Sequence, residues 1–348
     1  MTPAAPTSYE ARWHRLASAL DECGIEAFLA SHPPDLRYLT GFSGSSGFLF
    51  HAASGPTLIT DFRYEQQAAG EIPPSVRVEV AREGLMDVVG EVVARAVGSG
   101  RVGFDPERVT VYERRRLGEV AEAVEWVEVR GLVSAMRATK DPGEVERIRR
   151  AVTIAESALA RVLDMVRSER GGLRERDVAA RLEYELRRAG SDALPFEPIV
   201  ATGARSSLPH ARPGDARLAE RELLLVDFGA TVEGYCCDLT RTFVLGAPAE
   251  WQRELHDAVR EAQDAAVGAV RAGTPAAEVD AAARRPLAER EWDHLFGHGT
   301  GHGIGLEVHE GPRLSRRSED VLAAGNVVTV EPGVYVPGRG GVRIEDDV

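Results

Sequence analysis

Lysine is almost missing from this chain: Lys140 is the only one among 42 basic residues, and all the others are arginine. A GC-rich coding sequence accounts for that bias as well as thermal adaptation would, so it says nothing about stability. Cysteine is scarce too. Cys23, Cys236 and Cys237 are odd in number and lack framework spacing, which excludes a disulfide scaffold. No apolar run approaches the ~18 residues of a membrane-spanning helix. The opening Met-Thr-Pro-Ala-Ala-Pro-Thr has neither the basic nor the apolar region of a secretion signal, so a cytoplasmic protein is expected. An excess of positive charge is also absent. With 55 acidic residues the net charge is −13, which argues against nucleic acid as a partner and leaves room for carboxylates gathered around cations.

The 348 residues are enough for two domains. In the first, expected at 1–136, short apolar strands (27–30, 47–51, 57–60, 76–80, 101–104, 124–129) alternate with helices (8–23, 62–70, 85–98, 110–120), the pattern of a small α/β domain. Pro33-Pro34 reads as a break. No catalytic constellation stands out there. The second domain, 137–348, opens on Asp141-Pro142-Gly143-Glu144, with Asp at N-cap, Pro at N1 and Glu at N3. Val145, Ile148, Val152, Ala155, Leu159, Val162 and Val166 then repeat at helical spacing. A helix over 175–189, a strand at 223–228 and its partner at 234–244 follow. Helices over 250–271 and 276–290 and strands at 327–331 and 341–346 close the chain.

This half repeats itself: helix, helix and a strand pair occur twice. The first strand pair carries Asp227 and Asp238, the second Glu331 and Glu345. From helix start to first acid is 84 residues in one copy (143 to 227) and 81 in the other (250 to 331). Two copies packed about a pseudo-twofold axis would bring the four acids together. Four buried carboxylates need neutralising partners, and two divalent cations supply matching charge. Between the two pairs, residues 296–309 hold three histidines (His298, His302, His309) among five glycines. Imidazole is the commonest metal ligand, and His302 would complete the set of groups holding the metals. Oxygen-rich ligands with a single histidine favour Mn²⁺, with Co²⁺ and Zn²⁺ as alternatives.

These residues carry a resemblance. Asp227-Phe-Gly, Asp238-Leu-Thr-Arg, His298-Gly-Thr-Gly-His302-Gly-Ile-Gly, Val308-His-Glu, Thr329-Val-Glu331-Pro-Gly and Gly341-Val-Arg-Ile-Glu345-Asp resemble the catalytic domain of the pita-bread metallopeptidases. That clan holds methionine aminopeptidase, aminopeptidase P, prolidase and creatinase. Tyr38-Leu-Thr-Gly-Phe42 and Arg137-Ala-Thr-Lys140 are similar to the creatinase/prolidase N-terminal domain. The resemblance implies an α+β fold: a pita-bread catalytic domain with a pseudo-twofold repeat, preceded by the smaller α/β domain. It also implies a homodimer. It further implies that Asp227 chelates one of two metals, Asp238 and Glu345 bridge both, and His302 and Glu331 hold the other. A metal-bridging hydroxide would attack the carbonyl before proline, with Glu331 as proton shuttle. His309 would hydrogen-bond that carbonyl, His210 would reach the substrate, His298 would line the proline side, and Arg343 would meet a substrate carboxylate.

Other readings stay open at single residues. His298 could shape the glycine loop, His210 could be a surface residue, and Tyr235, placed with Arg241 behind the ligands, could be core. One of the Cys236–Cys237 pair should face the core. The family usually continues past the point matched by Val348, so either the strand holding Glu345 is frayed or the chain is shortened at its C-terminus. The function implied is hydrolysis of Xaa-Pro dipeptides (prolidase), with release of the first residue from longer Xaa-Pro peptides (aminopeptidase P) as the alternative. Creatinase-like chemistry and a non-catalytic peptide-binding module are disfavoured by the complete ligand set.

Overall fold

The computed structural model describes residues 8–169 and 172–348. The heptapeptide at the N-terminus, read above for a leader, lies outside them. The chain divides into two compact units, one ending at Arg137 and one beginning at Ala138.

The first unit contains helices α1 (Tyr9–Glu22), α2 (Pro33–Thr40), α3 (Glu65–Glu71), α4 (Leu85–Val97), α5 (Val111–Val120) and most of α6 (Leu132–Ala138). Its strands are β1 (Ala27–Ala30), β2 (Phe48–Ala52), β3 (Gly55–Asp61), β4 (Arg77–Ala81), β5 (Arg101–Phe104) and β6 (Glu125–Glu128). They make one mixed sheet in the order β4-β3-β2-β1-β5-β6. Pro33-Pro34 does not break the chain; it starts α2, because the first helical positions need no N–H donor.

The second unit opens on α7 (Pro142–Ser168), and both arms of the expected capping box form: Glu144 N–H donates to Asp141, and Asp141 N–H to Glu144. Its buried stripe, including Ala155, Leu159 and Val162, packs with α8 (Glu175–Arg188), while Ile148 packs in a separate cluster with Tyr235 and Ile304. Burial of one such Leu or Ile contributes about 1.5–3 kcal/mol. Strands β7 (Ile199–Thr202), β8 (Leu223–Phe228), β9 (Thr231–Val232), β10 (Tyr235–Cys236) and β11 (Leu239–Val244) follow. Then come α9 (Glu250–Ala269) and α10 (Ala276–Ala288). The chain closes with β12 (Gly301–Gly303), β13 (Glu310–Leu314), β14 (Thr329–Val330), β15 (Gly333–Val336), β16 (Gly340–Arg343) and β17 (Asp346–Asp347).

The expected strand 234–244 is two strands, and the interruption falls at an acid. β8 and β11 pair from Leu223–Val244 to Phe228–Leu239; register then lapses at Cys237-Asp238 and resumes between β9 and β10. The closing hairpin does the same. β15 pairs with β16 and β14 with β17, but the segment between, Glu331-Pro332 facing Ile344-Glu345, leaves the ladder. There the backbones turn sideways: Glu345 N–H donates to Thr240 O at 3.2 Å, and Glu331 N–H to Thr300 O at 2.8 Å. The end of the chain is not frayed, because Val348 exchanges both backbone hydrogen bonds with Val328 (2.8 and 3.0 Å). Cys236 and Cys237 are both buried; neighbours on an extended strand face opposite ways, and here each face is covered by a different apolar cluster.

Candidate active site

Each interrupted hairpin delivers its acids to one cavity of about 500 Å³. Asp227, Asp238, Glu331, Glu345, His210, His298, His302, His309 and Arg343 all line it. One ligand atom each from Asp238, His302 and Glu345 fall within 4.8 Å of one another, a geometry that can hold a metal ion. His302 Nε2 stands 3.9 Å from Asp238 Oδ2 and 3.7 Å from Glu331 Oε1. Asp227 lines the same cavity, with one carboxylate oxygen held by the Arg343 guanidinium.

The electrostatics show what this cluster lacks. Burial, then Glu345 and Asp227, push the Asp238 carboxyl well above the usual range. Burial, with Glu331 and Asp227 adding, does the same to Glu345. Glu331 is pushed up to about 8, mainly by burial. Burial also raises Asp227, against the pull of Arg343. Asp227 Oδ1 and Asp238 Oδ1 are buried with no hydrogen-bond partner. His302 is lowered to about 4 by burial, and so would be neutral near pH 7, as a metal ligand must be. Oxygen atoms without donors, carboxyls that burial pushes up and a neutral imidazole together fit divalent cations.

A pH prediction follows for protein stripped of metal. A carboxyl raised in the folded state keeps a proton that the unfolded chain has released, so its stabilisation is complete at acid pH and declines as pH rises. For Glu331 the window runs from its ordinary value of 4.5 to about 8. Chelated protein is expected to melt at falling temperature across that range, and metal-loaded protein to show a flatter or opposite trend, because the ions displace the protons. A melting temperature of the chelated protein that climbs with pH would show the acids to be ionised and compensated without cations.

The remaining histidines differ. His298 has both ring nitrogens engaged, Nδ1 with Gly299 O at 2.8 Å and Nε2 with Tyr335 Oη at 2.9 Å. Its ring stands edge-on to Phe296, centroids 4.9 Å apart, and burial lowers it to about 4. His309 is exposed to the cavity with its ring 4.3 Å from that of His302. His210 is exposed at the cavity wall.

Arg343 lines the cavity but is held by protein groups, and Tyr235 takes the core position left open above. Arg343 is 3% exposed, and its donors go to protein acceptors: Asp227, Tyr335 Oη (2.8 Å), Thr240 Oγ1 (3.0 Å) and Pro209 O (3.3 Å). Burying a guanidinium requires such saturation, and in this arrangement it braces Asp227. Tyr235 is core: its hydroxyl donates to Glu144 Oε1 at the start of α7, at 2.8 Å. Arg241 does lie behind a ligand, donating to the Glu345 carbonyl at 2.6 Å.

Sequence reasoning missed several supports. Thr240 Oγ1 donates to Glu345 Oε2 at 2.6 Å. Asp280 on α10 accepts from Thr300 N–H and Oγ1 and pairs with Arg284, which donates to the Phe296 carbonyl. Only the i,i+4 spacing of Asp280 and Arg284 hinted at this, and that spacing usually marks a solvated helix face.

The sequence profile of metallopeptidase family M24 matches residues 146–348, and that of the creatinase/prolidase N-terminal domain matches 12–139. An Xaa-Pro dipeptidase of Pyrococcus horikoshii is 34% identical over 336 residues, covering 96% of this chain and 92% of that protein. An Xaa-Pro dipeptidase structure from Bacillus anthracis superposes with a TM-score of 0.92 at 36% identity, covering 98% and 94% of the two chains. An X-Pro aminopeptidase structure from Thermotoga maritima gives 0.88 at 36% identity, over 97% and 94%. With the acid-and-histidine cavity inside the matched region, the chain belongs to metallopeptidase family M24 and is a metallopeptidase preceded by a creatinase/prolidase N-terminal domain.

Proposed function

We propose that this chain is an Xaa-Pro dipeptidase using two divalent ions, of which Mn²⁺ suits the oxygen-rich donor set best, ahead of Co²⁺ or Zn²⁺. The observation that carries the reading is the convergence of Asp238, His302 and Glu345 within one ligand sphere, with Asp227 and Glu331 in the same cavity. Asp227, Asp238, His302, Glu331 and Glu345 would hold the metals. Bound there, the ions would supply Lewis-acid polarisation and an acidified water.

The chain's own groups do the rest. Glu331, which lines the cavity beside His302, accepts the proton of the attacking water and returns it to the departing proline nitrogen. His309, neutral and facing the cavity, donates an N–H to the carbonyl oxygen as negative charge grows there. His298 has no ring nitrogen to spare and offers the flat imidazole as a wall for the proline ring. His210 contacts the substrate from the cavity wall.

An Ala-Pro dipeptide assayed beside an Ala-Pro-Yaa tripeptide tests the reading. The dipeptide is expected to be cleaved with kcat/KM at least about tenfold higher. Efficient tripeptide cleavage beside an inert dipeptide would overturn it. The Thermotoga neighbour favours that second reading, release of the first residue from longer Xaa-Pro peptides.

A further inference from the structure

The only lysine of the chain is not on the surface. Lys140 Nζ lies 3.0 Å from Glu310 Oε2, with the two side chains 1% and 4% exposed. Glu310 directly follows His309. Its other oxygen, Oε1, accepts the Glu307 N–H at 3.1 Å. Gly305 approaches the same carboxylate so closely that a Cβ there would meet Oε2 at 2.8 Å. Lys140 is itself fixed, its N–H donating to Gly325 O at 2.8 Å. The Glu310 carboxylate is therefore the hub of the turn between β12, which carries His302, and β13, which His309 precedes.

Composition gives this pair its meaning. Where a cation need only be a cation, this sequence uses arginine. Lysine survives at one enclosed position, where Nζ meets Glu310 Oε2 at 3.0 Å and the Ala138 carbonyl at 3.4 Å. A planar guanidinium needs more room, while an ammonium acts as a compact point charge.

We infer that Lys140 is a positioning residue for the reaction: through Glu310 it fixes the turn that sets His309 against His302 and aims its N–H at the scissile carbonyl. The inference rests on the role proposed for His309. A displacement of about 1 Å in a group that touches the reacting atoms can lower turnover by up to ~100-fold. Neither side chain lines the cavity, so substrate and metal binding should be spared.

The test compares K140M, K140R, E310Q, H309A and the K140M/H309A double variant in manganese-loaded enzyme. K140M is expected to lower kcat by about tenfold or more, with KM and metal content within about twofold. K140R should not restore kcat. K140M should cost little more in the H309A background, because both changes act through the same imidazole. E310Q keeps the shape of the hub and removes its charge, so it serves if K140M fails to fold. Intact-mass labelling with an amine reagent adds a readout independent of activity. Native protein should take one label, on the α-amine, because Lys140 is enclosed, and a variant that takes a second has lost that enclosure. If H309A leaves kcat intact, the role of His309 is at fault. If H309A lowers kcat while folded K140M and E310Q do not, or if the two losses simply multiply, the positioning inference is overturned.

Discussion

Replacing Asp238 with alanine is expected to abolish peptidase activity, with a loss in kcat/KM on the order of 10³-fold or more. Asp238 is 6% exposed at the point where the first hairpin loses register, between His302 and the two acids Glu345 and Asp227. The adjacent Asp347 does not line the cavity, and one of its oxygens accepts the Asp238 backbone N–H at 3.2 Å. The variant should retain fewer than two metal equivalents when analysed by elemental mass spectrometry. Its stability should move the other way. Metal-free wild-type protein crowds desolvated carboxyls into a buried space, some of their oxygens without donors, and D238A removes one of them. The metal-free variant is thus expected to melt no lower than metal-free wild type, even though activity is gone, a conflict common where function requires strain. Near-normal turnover would sink the ligand assignment, and a large drop in metal-free melting temperature would show Asp238 to be structural instead.

Glu331→Gln should be almost as damaging for a different reason. The amide keeps the length and one coordinating oxygen but cannot take a proton from water. General base catalysis is worth roughly 10²–10⁴-fold, and kcat should fall by that amount. Metal content should fall less than in D238A, and KM should change little. The separation of the two effects is the point of the comparison: one variant loses the ions, the other loses the proton acceptor beside them. An E331Q enzyme within tenfold of wild type would locate the base elsewhere.

Much of this site could be read from residue spacing. The four acids and three histidines were legible because each sits in a motif of unusual composition, and their convergence followed from the repeated helix-helix-strand pattern. The start of α7 and both ends of β1 were legible because capping chemistry and apolar patterning are local. What stayed hidden was what depends on partners distant in sequence. β7 and β13 are short and become strands by pairing with β8 and β12. The interruption at Asp238 looks like ordinary strand sequence, because the break is imposed by convergence with the other hairpin. Arg343 reads as a substrate-binding guanidinium from its motif, and only the fold shows its donors meeting Asp227, Tyr335 and Thr240. The Asp280–Arg284 clamp looks like a surface pair until Thr300 is seen against it.

The sideways turn of Glu345 onto Thr240 has a consequence for how the protein is made. The two residues are 105 positions apart, and Arg343 reaches Asp227 across 116. Contacts of that separation carry a closure entropy that no local helix or hairpin helps to offset, so they belong to the late part of folding. A nascent or half-folded chain would have helices α7 to α10 and the first hairpin, but no ion trap. Cations would bind only to chains whose second hairpin has docked, and would lock that docking by mass action. Metal supply should then alter how long the finished protein stays folded far more than how fast it folds.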